Sequence, residues 1–175
     1  SPSIQERMRR EIQDAVGEDE FEFGDAQKLR LTLNVFRETL RLYPPVGFFI
    51  REATEDHRIR DKEVGRGCPI MISPWLMHRH RKLWSQPDEF NPDRFETPEG
   101  KESAKCAYLP FSMGPRVCVG QAFATQEAVM VLASIVRRYE ILPDPNHVPQ
   151  TVGRVTVRSD NGIRIRLAKR NPAAD

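Results

Sequence analysis

The sequence lacks any apolar run approaching the roughly 18 residues that a membrane-crossing helix needs, and its opening stretch, SPSIQERMRREI, reads as an amphipathic helix rather than a signal peptide. No membrane association and a cytoplasmic setting are therefore expected. Cysteine is scarce. Cys68, Cys106 and Cys118 are odd in number and widely spaced, which argues against a disulfide framework. They form no C-x-x-C pair, and His57, His78, His80 and His147 supply no H-x-x-x-H pattern, so structural zinc is disfavoured. Neither sign of charge dominates: 27 Lys and Arg face 25 Asp and Glu, a net +2 that gives no case for a nucleic-acid partner. Internal repeats and low-complexity tracts are absent too.

What is present is a chain of 175 residues, long enough for one domain with its own core and, with 14 prolines and 30% charged residues, rich in irregular connections. Residues 1–175 are read as that single domain. Residues 1–17 predict a helix, with Pro2 at its start and Gly17 at its stop. A second helix is expected over 26–43, where Leu29, Leu33, Phe36, Leu40 and Tyr43 recur at helical spacing until Pro44 and Pro45 end it. Residues 46–53 and 68–73 read as short strands joined by a charged turn. From 74 to 110 the chain is an ordered meander anchored by aromatic side chains, with one short helix near Trp75 to His80. The longest apolar helical pattern, 119–139, follows, and the tail predicts a hairpin around Asp160, Asn161 and Gly162. The fold class is mainly α with small β-sheets, α+β.

Residues 111–120, Phe-Ser-Met-Gly-Pro-Arg-Val-Cys-Val-Gly, set a cysteine between two glycines immediately before that long helix. Unpaired amide donors at a helix start favour negative charge on a thiolate, and Gly114 and Gly120 let backbone lie close to a flat ligand. A cysteine so placed is, taken alone, more often a packed small hydrophobe. Glu38-Thr-Leu-Arg41 puts an acid and a base on one helical face, a pairing that is commonplace on helix surfaces. A third element, Pro92-Asp-Arg-Phe95, lies in the meander.

Taken in this order, the three elements resemble the E-x-x-R helix, the P-x-R-F meander and the F-x-x-G-x-R-x-C-x-G haem-binding loop of the cytochrome P-450 (haem-thiolate monooxygenase) family. The resemblance extends over nearly the whole chain and identifies it with the C-terminal portion of that fold, without the N-terminal half or the long distal helix. It implies haem b (iron protoporphyrin IX) as cofactor, with Cys118 as the axial iron ligand and catalytic residue. Phe111, Gly114 and Gly120 are implied as its cradle, and Arg51, Arg116 and His78 as ligands of the propionates. Glu38, Arg41 and Arg94 are implied to form a structural ion triad locking the meander to the helix. Val46 to Phe49 and Val155 to Val157 match substrate-facing segments of the family.

The activity so implied is insertion of one oxygen atom from O2 into a small hydrophobic substrate, with electrons from a ferredoxin or flavoprotein. A basic face of Arg79, His80, Arg81, Lys82, Arg137 and Arg138 would steer such a donor. Because the distal elements are not seen, the chain is also expected to associate with a missing N-terminal half or a second copy. The alternative is a haem-binding or interaction module, truncated or split, with no oxygenase activity by itself. A cysteine hydrolase would need a base close to Cys118, and no His lies near it in sequence.

Overall fold

The computed structural model describes residues 1–154 and 156–170. Among the described residues, two α-helices, α1 (Pro2–Ala15) and α2 (Arg30–Leu42), precede strands β1 (Phe49–Glu52), β2 (His57–Ile59), β3 (Lys62–Val64) and β4 (Pro69–Ile72); three more, α3 (Pro74–Met77), α4 (Pro98–Ala107) and α5 (Gln121–Arg138), precede β5 (Tyr139–Pro143), β6 (Thr151–Gly153), β7 (Val157–Ser159) and β8 (Ile165–Lys169). The strands form four two-stranded antiparallel sheets, β1–β4, β2–β3, β5–β8 and β6–β7. The α+β class holds, but the description as a C-terminal portion alone is corrected: helices and sheets are distributed along the chain from Pro2 to Lys169.

The main core lies where α1, α2 and α5 meet, with Met8, Ile12, Leu29, Val35, Val129, Ala133 and Val136 buried together. Pro at the first position pre-sets the backbone of α1, and Gly17, at φ +65°, closes the helix in a conformation that glycine adopts without a Cβ clash. Helix α2 has no capping side chain of its own. Instead Glu11 of α1 reaches across, its Oε2 accepting from the Thr32 amide and hydroxyl at 2.9 Å each. An acid at that end also complements the helix dipole.

Helix α2 departs from its expected burial. Thr32, Asn34, Glu38 and Arg41 are fully buried, whereas Tyr43 is half exposed. The apolar stripe faces the main core, but an equally buried polar face meets residues 78–96, a role that hydrophobic periodicity does not register. In the meander, aromatic packing is as anticipated: Trp84 and Phe95 are buried against Ala107, with Tyr108 edge-on to both rings. Helix α4 was not anticipated there. It starts from a Thr97 side chain that accepts from the Gly100 amide, and Gly100 packs so closely that a Cβ would sit 1.7 Å from the Arg94 carbonyl oxygen.

The charged turn between the expected strands is a hairpin, β2–β3. The tail also differs from expectation. The Asp160–Gly162 turn does not join a pair of neighbouring strands; β8 returns to pair with β5, and β7 pairs with β6. Val155, expected to face substrate, lies outside the described residues, while the Val157 amide donates to the Pro45 carbonyl at 2.8 Å.

Candidate functional site

Beneath the site lies a buried ion cluster. The Glu38 carboxylate accepts from Arg41 Nε at 2.8 Å and Nη2 at 3.0 Å, from Arg94 Nε at 2.9 Å and from the Asn91 amide at 2.9 Å. One carboxylate cannot neutralise two guanidinium groups, so backbone dipoles complete the solvation. Arg41 donates to the carbonyls of His78, Pro87 and Glu89, and Arg94 to those of Ser85, Gln86 and Glu89. The structure thus brings Glu38, Arg41 and Arg94 together, and the cluster pins an irregular segment that has little regular structure of its own.

His78 belongs to this framework. It is fully buried, stacks on Tyr108, and its Nε2 accepts from the Leu109 amide at 2.8 Å, leaving Nδ1 to donate to the Arg41 carbonyl at 3.0 Å. Burial first, and then the positive charges of Arg41 and Arg79, push its pKa down to about 4, so the ring is neutral near pH 7. With both nitrogens engaged, His78 has no N–H to offer a propionate, and that expected role is corrected to a staple between the end of α2 and the start of the cysteine loop.

The loop itself is open. Cys118 is exposed; its amide donates to the Phe111 carbonyl at 2.9 Å, and its carbonyl accepts from Gln121, the first residue of α5, at 3.2 Å. The helix begins at Gln121 and not at 119, so the thiol sits just ahead of the first turn. Gly114 has φ +69° with open space around it, and Gly120 lies close enough that a Cβ would come within 3.9 Å of the sulfur. Both glycines keep the approach to Cys118 low and clear.

A cavity of about 630 Å³ joins this loop to β1, lined by Phe49, Ile50, Arg51, Phe111, Arg116 and Cys118 among others, with Glu52 its one acidic wall residue. Arg51 lies over the Phe49 ring at 4.6 Å and donates to the Ile50 carbonyl and to Ser112 Oγ. Neither Arg51 nor Arg116 has a carboxylate partner among the described residues. A thiol, two guanidinium groups without a carboxylate partner and a largely apolar wall fit a flat, apolar ring carrying carboxylates at its edge. Cys118 also borders a second cavity of about 600 Å³, lined by Leu33, Ala122 and Val129 but by no cation.

Two members of the expected basic face are engaged internally. Arg79 packs over Trp75 at 3.7 Å and donates to the Leu42 carbonyl, and Arg137 donates to the Gly17 and Asp19 carbonyls while stacking on Phe21. His80, Arg81, Lys82 and Arg138 are exposed.

Comparison with known proteins places these features in one family. The family profile described as "Cytochrome P450" matches residues 1–163. Mouse "Cytochrome P450 4A12B" is 34% identical over 97% of this chain and 33% of its own length. "Probable cytochrome P450 4s3" of Drosophila melanogaster is 36% identical over 98% and 33%, and human "Cytochrome P450 4V2" 35% over 98% and 33%. Among solved structures, "Crystal structure of cytochrome P450DA heme domain" superposes with a TM-score of 0.87 at 25% identity, covering 98% of this chain and 38% of that one. The chain belongs to the cytochrome P450 family, and it spans about a third of the length of the curated relatives it matches. Haem b is the cofactor of that family.

The expectation of a C-terminal, proximal-only portion is corrected to what the likenesses support: the family match runs over residues 1–163 and the relatives align with 97–98% of the chain, so the assignment is one for the chain as a whole. The split-protein reading of its function is set aside with it. A missing N-terminal half or a second copy finds no support in them and is not retained as a partner. Among the described residues, no helix is long and apolar enough to cross a membrane.

Proposed function

We propose that the protein is a haem-thiolate monooxygenase that inserts one atom of O2 into a small hydrophobic substrate, in a single domain and a cytoplasmic setting, with a ferredoxin or flavoprotein as electron donor. The observation that carries this reading is the meeting of Cys118, Arg51 and Arg116 at one largely apolar cavity. Haem b, when bound there, supplies the iron at which dioxygen is activated.

The chain's residues have separable tasks. Cys118, exposed just ahead of the α5 N-terminus, would supply the sulfur that binds the haem iron. Arg51 and Arg116 would hold the propionates. Phe111, Gly114 and Gly120 shape the loop against the ring. Val46, Phe49 and Ile50 present apolar surface that excludes water and receives the substrate. Glu38, Arg41 and Arg94 touch no reacting atom; they hold residues 85–94 on α2. The exposed Arg81, Lys82 and Arg138 supply positive charge for an acidic electron donor.

The test is the carbon monoxide complex of the haem-loaded, reduced protein. The wild type gives the strongly red-shifted Soret band of thiolate ligation and Cys118→Ala loses it. Persistence of that band in the variant would remove Cys118 from the site.

A further inference from the structure

Ser112 stands out in the cysteine loop for its backbone and its partner together. Its φ is +65°, in the left-handed region that non-glycine residues seldom occupy and that a serine adopts only where its surroundings hold it. From that conformation its Oγ accepts a hydrogen bond from Arg51 Nη2 at 2.7 Å, across 61 residues of sequence, at the wall of the cavity that Cys118 borders. Glycine would fill the same backbone position without strain. The side chain, not the turn, is therefore what distinguishes serine here.

Arg51 is otherwise held loosely. Its Nη1 bonds only the neighbouring Ile50 carbonyl at 3.1 Å, and its guanidinium lies over the Phe49 ring; a side chain with so many rotamers forfeits much conformational freedom when it fixes a carboxylate. Two of its five N–H groups are taken by partners among the described residues, which leaves donors for an anion. Resting on the assignment of this cavity to haem, we infer that Ser112 is a positioning residue: its hydroxyl, fixed by the strained loop, pre-orients the Arg51 guanidinium toward a haem propionate. Ser112 thereby couples the loop that carries the ligand to the strand that carries the anion-binding cation. The coupling is specific to the carboxylate edge of the cofactor and independent of the sulfur ligand.

The experiment measures haem release to an excess of a haem-scavenging globin, together with the thermal midpoint of the haem-free protein and the carbon monoxide spectrum. Ser112→Gly removes the hydroxyl and the backbone strain at once. It should leave the haem-free midpoint unchanged or raised, retain the thiolate spectrum, and release haem roughly tenfold faster, the scale of losing a hydrogen bond to a charged group. Ser112→Asn, which tolerates the left-handed conformation and offers a side-chain carbonyl, should restore most of the retention. With the dimethyl ester of haem, which has no propionate charge, wild type and Ser112→Gly should release at the same rate, and in an Arg51→Ala background Ser112→Gly should add nothing. Equal release rates of native haem from wild type and Ser112→Gly, or an undiminished difference with the diester, would overturn the inference while leaving the haem assignment standing. A wild type that takes up no haem through its sulfur overturns both.

Discussion

The ion cluster under α2 and the cysteine loop before α5 are both built from short motifs, yet they are opposite in physical character. In the cluster, Glu38 and Arg41 are fully buried and their polar groups are met by side chains and by carbonyls of residues 78–89. In the loop, Met113 through Val119 are exposed, two residues take positive φ, and the sulfur borders two cavities. The difference separates stability from chemistry. The closed region resists change because every partner there is committed, whereas the open region leaves its thiol and its cations free for a ligand.

That contrast breaks most visibly under substitution of the shared carboxylate. Glu38→Ala leaves Arg41 and Arg94 as buried, uncompensated cations and should cost about 3–5 kcal/mol in urea unfolding. Cys118→Ser, in the exposed loop, should change the stability of the haem-free protein by about 0.5 kcal/mol or less. Comparable losses in the two variants would erase the distinction.

Acid should act on the closed region next. His78 has its pKa pushed down to about 4 in the folded chain against an ordinary 6.5, so between those values the unfolded state binds more protons. Its contribution is complete above pH 6.5 and is lost as pH falls toward 4, by as much as about 3 kcal/mol. His78→Gln should flatten that part of the stability profile; an unaltered profile would show that His78 is not the group responsible.

Two smaller effects sharpen the comparison within the meander. Gly100→Ala sets a Cβ against the Arg94 backbone and should cost about 1–3 kcal/mol, read as a lowered midpoint of thermal unfolding. Asp93→Asn, which breaks the half-exposed Arg7–Asp93 pair at 2.6 Å, should cost about 1 kcal/mol or less, and that loss should shrink in high salt.

The sequence carried the helices at 2–15 and 121–138 within a few residues, the end of α2 at the Pro44-Pro45 pair, and the motif residues that meet at the cluster and the cavity. Other features had no local signal. Helix α4 was hidden because its Pro98 and Gly100 look like loop residues, although Pro is suited to a first turn and Gly100 is required by the nearby Arg94 carbonyl. The capping of α2 by Glu11 joins positions 20 residues apart, beyond any capping pattern read along a single helix. The family resemblance implied His78 as a propionate ligand; its burial and the Leu109 amide, 31 residues away, make it a staple. The pairing of β8 with β5 is likewise set by chain return, not by the turn at Asn161. Ser112 carries no mark in sequence beyond its place between Phe111 and Gly114.

The central claim concerns one bond, between Cys118 and the haem iron, and X-ray absorption at the iron edge of the haem-loaded protein measures it directly. The wild type should show a single sulfur scatterer at bonding distance, and Cys118→Ser should replace it with a lighter atom. Sulfur scattering retained in that variant, or absent from the wild type, would contradict the account.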